Sequence, residues 1–226
     1  MPTQLLLINP NTDAAVTQAM RDIAAEAAPA GVEICACTAA FGSALITDET
    51  ALARAGEAVL AALAATPLQG IAGVIVSAFG DPGLMAARQR LTLPVTGIAE
   101  AGMAEAARGG RRFAVVTTTP GLATAITATA RAYGHVASFS GVRLTPGEPA
   151  QLMQQPQALL DALERACDEA VRLDGAQAVV IGGGPLAKAA RALRSRVAVP
   201  LIEPVPAAVR LALARAGLGA GPGLSA

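Results

Sequence analysis

A repeat constrains this chain more than any other feature of its sequence. Leu6-Leu7-Ile8 ends in Asn9-Pro10-Asn11-Thr12, and Ala114-Val115-Val116 ends in Thr117-Thr118-Thr119-Pro120. Val74-Ile75-Val76 runs into Ser77-Ala78-Phe79-Gly80-Asp81-Pro82-Gly83, and Val179-Val180-Ile181 runs into Gly182-Gly183-Gly184-Pro185. Leu93-Pro94-Val95 is matched by Val199-Pro200-Leu201. Phe113 stands 108 residues after Leu5, Val179 stands 105 after Val74, and Pro200 stands 106 after Pro94. Such a unit is too long for a solenoid repeat and suits a small α/β domain. The expected division is 1–97 plus 203–226 for the first domain and 98–202 for the second, with the last segment returning to the first.

Within each half, short runs of Val, Ile and Leu alternate with longer Ala-rich stretches, the signature of a parallel sheet covered by helices. Strands are predicted at Gln4–Ile8, Val32–Ala36, Gly73–Ser77, Val95–Gly97, Phe113–Thr117, Ala178–Ile181 and Pro200–Ile202. Helices are predicted at Asp13–Ala28, Asp48–Ala65, Leu84–Arg90, Gly102–Ala107, Gly121–Tyr133, Gln157–Leu173, Leu186–Ser195 and Pro206–Ala216. The strands are apolar almost throughout, as strands buried on both faces should be. The fold class is therefore α/β, with two similar flavodoxin-like domains, each built on a parallel sheet, and the site in the cleft between them. Residues 217–226 are expected to fray.

Bulk properties narrow the function. Lys plus Arg and Asp plus Glu both number 17, and aromatics are 2 % of the chain. A neutral chain with few aromatics has no footprint for nucleic acid. No apolar run reaches the roughly 18–20 residues of a membrane helix, and the N-terminus lacks the charged region of a signal peptide. A cytoplasmic location follows, with no membrane partner. Cys35 and Cys37 are too close to pair as extended neighbours, and with a single histidine no metal site is expected.

In parallel α/β sheets, ligands bind beyond the carboxyl ends of the strands, where the polar and glycine-rich turns of this sequence lie. Asn11, Thr117 and Thr118 place an amide and two hydroxyls at helix starts, where carboxylates or polarised carbonyls are accommodated; plain helix capping is the competing reading. Gly183, Gly184 and Pro185, with Phe79 and Gly80 in the matching turn, let backbone approach a ligand closely. Asp81 reads first as the cap of the following helix and second as a catalytic carboxylate. Glu100 and Glu203 occupy equivalent repeat positions and read as orienting carboxylates or as salt-bridge partners. His135 reads as structural and Cys167 as a core residue.

Ile8–Thr12, Phe79–Leu84 and Gly97–Ala101, together with Thr117-Thr118 and Gly182–Gly184, resemble the hydantoin and allantoin racemase branch of the Asp/Glu/hydantoin racemase superfamily across nearly the whole chain. The resemblance implies two α/β domains related by a pseudo-twofold axis, binding a small carboxylate or cyclic ureide between them without a cofactor. It also implies a homo-oligomer, and two cysteines that carry the proton on opposite faces of the substrate carbon. Those cysteines belong immediately before Phe79 and in the glycine-rich turn, where this chain has Ala78 and Gly183. The sequence therefore leads to a racemase-type enzyme with a non-cysteine site, either an isomerase or one diverged to ring-opening hydrolysis or decarboxylation. Ser77 and Thr118 are the catalytic candidates. Asn11, Ala78, Phe79, Gly80, Thr117, Thr118, Gly183, Gly184 and Pro185 are the binding candidates. The alternative is a non-catalytic ligand-binding or regulatory protein that keeps the pocket.

Overall fold

The computed structural model describes residues 3–218. The first half runs β1 (Thr3–Asn9), α1 (Ala14–Ala27), β2 (Val32–Thr38), α2 (Glu49–Ala65), β3 (Ile71–Val76), α3 (Leu84–Arg90), β4 (Val95–Gly97) and α4 (Ile98–Ala106). The second runs β5 (Phe113–Thr117), α5 (Ala123–Ala132), β6 (Phe139–Leu144), α6 (Pro149–Met153), α7 (Pro156–Asp174), β7 (Ala178–Ile181), α8 (Ala187–Leu193), β8 (Leu201–Ile202) and α9 (Pro204–Arg215). Two four-stranded sheets result, in the orders β2-β1-β3-β4 and β6-β5-β7-β8. Every pairing in them is parallel. Adding four to each strand of the first order gives the second, so the sequence repeat is a repeat of topology. The order is the doubly wound, flavodoxin-like one without a fifth strand.

Side-chain alternation along the strands sets the layers. Leu5, Leu7 and Ile75 of the first sheet share one core with Phe113, Val115 and Val180 of the second, together with Ile98 and Met103 of α4 and Val205 and Val209 of α9. Their strand neighbours face outward: Leu6, Ile8, Val74 and Val76 pack under α2 and α3, and Ala114, Val116, Val179 and Ile181 pack under α7 and α8. Each half sends its last helix across to the other. α4 leaves β4 and packs on β7 and β8, whereas α9 leaves β8 and packs on β3 and β4, and the two helices lie against each other.

Matching ion pairs fix both crossovers. Arg88 bonds Glu100 at 2.7 Å and Arg191 bonds Glu203 at 3.0 Å, each pair 12 residues apart in sequence. Arg215 adds two further bonds to Glu100, at 2.7 and 2.8 Å. The salt-bridge role holds for both glutamates.

Two elements lie outside the sequence expectations, β6 and α6. α4 also starts at Ile98 rather than Gly102, and α9 at Pro204 rather than Pro206. Of the segment expected to fray, Gly217 and Leu218 follow α9, and 219–226 lie outside the described residues. Among the described residues, no helix is long and apolar enough to cross a membrane, and no three metal-binding side chains cluster.

Candidate active site

The carboxyl ends of the inner strands of both sheets open into one cleft. Asn11 follows β1, Ser77–Phe79 follow β3, Thr117–Thr119 close β5, and Gly182–Leu186 follow β7. Apolar walls are added by Leu45 and Ile46 between β2 and α2, by Leu122 and Ile126 at α5, and by Met153 at the end of α6. The cleft holds about 540 Å³ of atom-free space, its open side included.

The polar groups are held by local bonds that repeat between the halves. Asn9 Nδ2 donates to Asn11 Oδ1 at 2.7 Å, and the Asp13 N–H donates to the same oxygen at 3.1 Å. A backbone N–H can only donate, so the Asn11 amide orientation is fixed. Asn11 lines the cleft, and its Nδ2 donates no hydrogen bond to protein among the described residues. In the second half Thr117 Oγ1 and Thr119 Oγ1 pair at 3.0 Å, at positions 108 residues after Asn9 and Asn11. The Thr118 hydroxyl makes no hydrogen bond to protein among the described residues and lines the cleft. The backbone N–H groups of Ala78, Phe79, Thr118 and Gly184 likewise have no acceptor among the described residues.

Glycine permits the close approach of the two halves here. A Cβ on Gly184 would lie 2.8 Å from Met20 Sδ and 3.1 Å from the Ser77 carbonyl oxygen. One on Gly182 would lie 2.6 Å from Val115 and 3.3 Å from the Phe79 ring.

Asn11, Ala78, Phe79, Thr117, Thr118, Gly183, Gly184 and Pro185 all line the cleft. Gly80 and Ser77 stand apart from these. Gly80 lines a separate groove with Leu52 and Thr124, at φ +106°. Ser77 borders the cleft, and its hydroxyl donates to Met20 Sδ at 3.0 Å, with no base bonded to it among the described residues. The three cysteines are elsewhere: Cys35 and Cys37 pack beside α2, and burial pushes the Cys167 thiol up to about 12. His135 stacks edge-on against Phe113.

Asp81 does not cap α3. Its Oδ1 accepts the Ala99 N–H at 2.8 Å, and its Oδ2 accepts the Glu100 N–H at 2.7 Å and the Tyr133 hydroxyl at 2.7 Å. It therefore caps α4, 18 residues away. Burial raises its pKa to about 6 against the pull of these three donors. Sequence reasoning missed Tyr133 as its partner, and it missed the apolar wall of Leu45, Ile46, Leu122, Ile126 and Met153, which no local motif marks.

The family profile described as Asp/Glu/Hydantoin racemase matches residues 5–212. The chain belongs to this family. It is 30 % identical to a hydantoin racemase of Pseudomonas sp. (strain NS671), over 96 % of this chain and 87 % of that protein. Allantoin racemase from Klebsiella pneumoniae is 32 % identical, with a TM-score of 0.88 over 96 % of this chain and 89 % of that one. Allantoin racemase from Pseudomonas fluorescens is 27 % identical, with a TM-score of 0.89 over 99 % and 100 %. In this member of the family, the described residues lining the cleft include no Cys, His, Asp, Glu, Lys, Arg or Tyr.

Proposed function

We propose that this chain is a cofactor-independent enzyme of the racemase family. Its substrate is a small cyclic ureide of the hydantoin or allantoin type, or an α-substituted carboxylate. The carrying observation is the convergence of unpartnered donors on one narrow, apolar-walled cleft: Asn11 Nδ2, the Thr118 hydroxyl, and the N–H groups of Ala78, Phe79, Thr118 and Gly184. Donors fixed before the substrate arrives stabilise an oxyanion or enolate as it forms, and they act more strongly where apolar walls exclude water. Loss of the α-proton or of an α-carboxylate produces such an enolate, and its reprotonation completes an isomerisation or a decarboxylation. Ring-opening hydrolysis would draw on the same donors at a tetrahedral oxyanion. With Ala78 and Gly183 at the positions that the family resemblance assigns to cysteines, the proton passes through a group other than a thiol. On this reading the protein works in the cytoplasm on a small molecule, without nucleic-acid or membrane partners, and assembles as a homo-oligomer.

The absence of ionisable side chains from the cleft lining favours a second reading, a ligand-binding protein that retains the pocket. Incubation in D2O with enantiopure 5-substituted hydantoins and with allantoin, followed by NMR, separates the two. The enzyme reading expects α-proton exchange or product above the uncatalysed background. Thr118→Ala and Asn11→Ala should each lower that rate by about 10²–10³, the usual cost of removing one oxyanion donor. Binding without exchange or product on any of these substrates would favour the second reading.

A further inference from the structure

We propose that Asp81 is the positioning residue of the cleft: from a buried turn, its carboxylate ties the donor-bearing segment Ser77–Phe79 to α4 and to Tyr133, and so sets where the Ala78 and Phe79 N–H groups stand. The inference rests on the reading that these N–H groups hold the ligand.

The turn itself orients the donors. The Asp81 N–H donates to the Ala78 carbonyl at 3.0 Å, closing a four-residue turn. A trans peptide is planar with its C=O and N–H opposed. Tying the Ala78 oxygen towards Asp81 therefore points the Phe79 N–H the other way, out of the turn. Asp81 makes this bond from the left-handed region, at φ +51°, and it is the one described non-glycine residue there. Short polar side chains tolerate that conformation best, but it still needs support from the surroundings.

The support comes from the carboxylate. An ordinary cap binds N–H groups two or three residues ahead, whereas Asp81 reaches Ala99 and Glu100, 18 and 19 residues ahead. Gly97 leaves the slot it occupies: a Cβ there would sit 2.1 Å from the Asp81 carboxyl carbon. The third bond comes from Tyr133 at the end of α5, in the other half. One carboxylate thus joins the turn after β3, the start of α4 and the end of α5. Glu100 and its partners Arg88 and Arg215 complete the charged groups around it. The opposite wall has no such clamp, since its turn reads Gly182-Gly183-Gly184-Pro185 with no acid.

That asymmetry supplies the test. In the 15N-labelled full chain, lowering pH from about 7.5 to 5 protonates Asp81, whose titration lies near 6. The Ala78 and Phe79 amide shifts should move with one midpoint matching the Asp81 carboxyl carbon, while Thr118 on the opposite wall stays still. Tyr133→Phe removes one bond and keeps the carboxylate, so it should shift the same two amides, weaken 5-methylhydantoin binding several-fold and leave the fold intact. Asp81→Asn should weaken binding about tenfold or more, the worth of a charge-assisted hydrogen bond. Amides that ignore the Asp81 titration, or that move equally on both walls, would overturn the proposal, even if Asp81→Asn does not fold. If 5-methylhydantoin fails to bind the wild type while the amides follow Asp81, the positioning role stands and the ligand reading falls.

Discussion

Asp81 and Gly97 share one space, and each dictates the other. A Cβ at position 97 would meet all three carboxyl atoms of Asp81 at 2.1–2.4 Å. Neither side can yield easily, because the carboxylate is held by three donors. Gly97→Ala should therefore destabilise the protein by about 3 kcal/mol, at the upper end for overpacking, as a lowered urea midpoint with an unchanged slope would show. The pH dependence follows from the same burial. The folded state binds the Asp81 proton more tightly than the unfolded chain does, since burial raises its pKa to about 6 from an ordinary value of 3.8. Its contribution to stability is present in full below about pH 4 and is lost as pH rises through about 6. Asp81→Asn cannot titrate, so the unfolding free energy between about pH 4 and 6 should vary less in the variant than in the wild type. An identical slope in both would assign that dependence to other groups. Glu100 works in the opposite sense. Its burial opposes ionisation, but bonds from Arg215 and Arg88 hold its pKa below the usual range, so its contribution is lost only as pH falls through that depressed value.

Elements meet across the cleft as closely as residues do within it. Gly121, just before α5, lies against the segment between β2 and α2, where an added Cβ would come 2.5 Å from the Thr47 carbonyl oxygen. That segment carries Leu45 and Ile46 into the cleft, and no backbone N–H from residue 40 to 47 donates to a backbone acceptor among the described residues. Gly121→Ala should push it outward, costing about 2 kcal/mol, read as a lowered urea midpoint with an unchanged slope. Seven of the eight strands and the turns of the cleft were legible because buried parallel strands are short apolar runs with polar ends. β6 was not, because Phe139–Leu144 is a half-exposed edge strand broken by Gly141 at φ +132°. The repeat itself held the missing signal: Phe139 stands 107 residues after Val32, where β2 begins. Asp81 was legible as a cap but not as the cap of α4, since the contact spans 18 residues and depends on a missing Cβ. The Ser77 rotamer rests on Met20 of α1, 57 residues away, and the turn at Gly80 lies against Leu52 of α2, contacts that no local motif marks.

For the whole molecule the reciprocal crossing of α4 and α9 matters most. Val205, Ala208, Val209, Ala212 and Leu213 of α9 are all buried in the shared core. Ending the chain after Glu203 should strip the cover from β3 and β4 and abolish cooperative unfolding, measured by circular dichroism in urea; a sharp transition in the shortened chain would show that the first sheet stands without it. The order of the helices along the chain also bears on how the protein emerges from the ribosome. α4 is already made when β5 appears, so the second sheet assembles onto a helix that is waiting for it. β3 and β4 wait bare-faced until α9 has been made, more than a hundred residues later. The half that is made first is finished last.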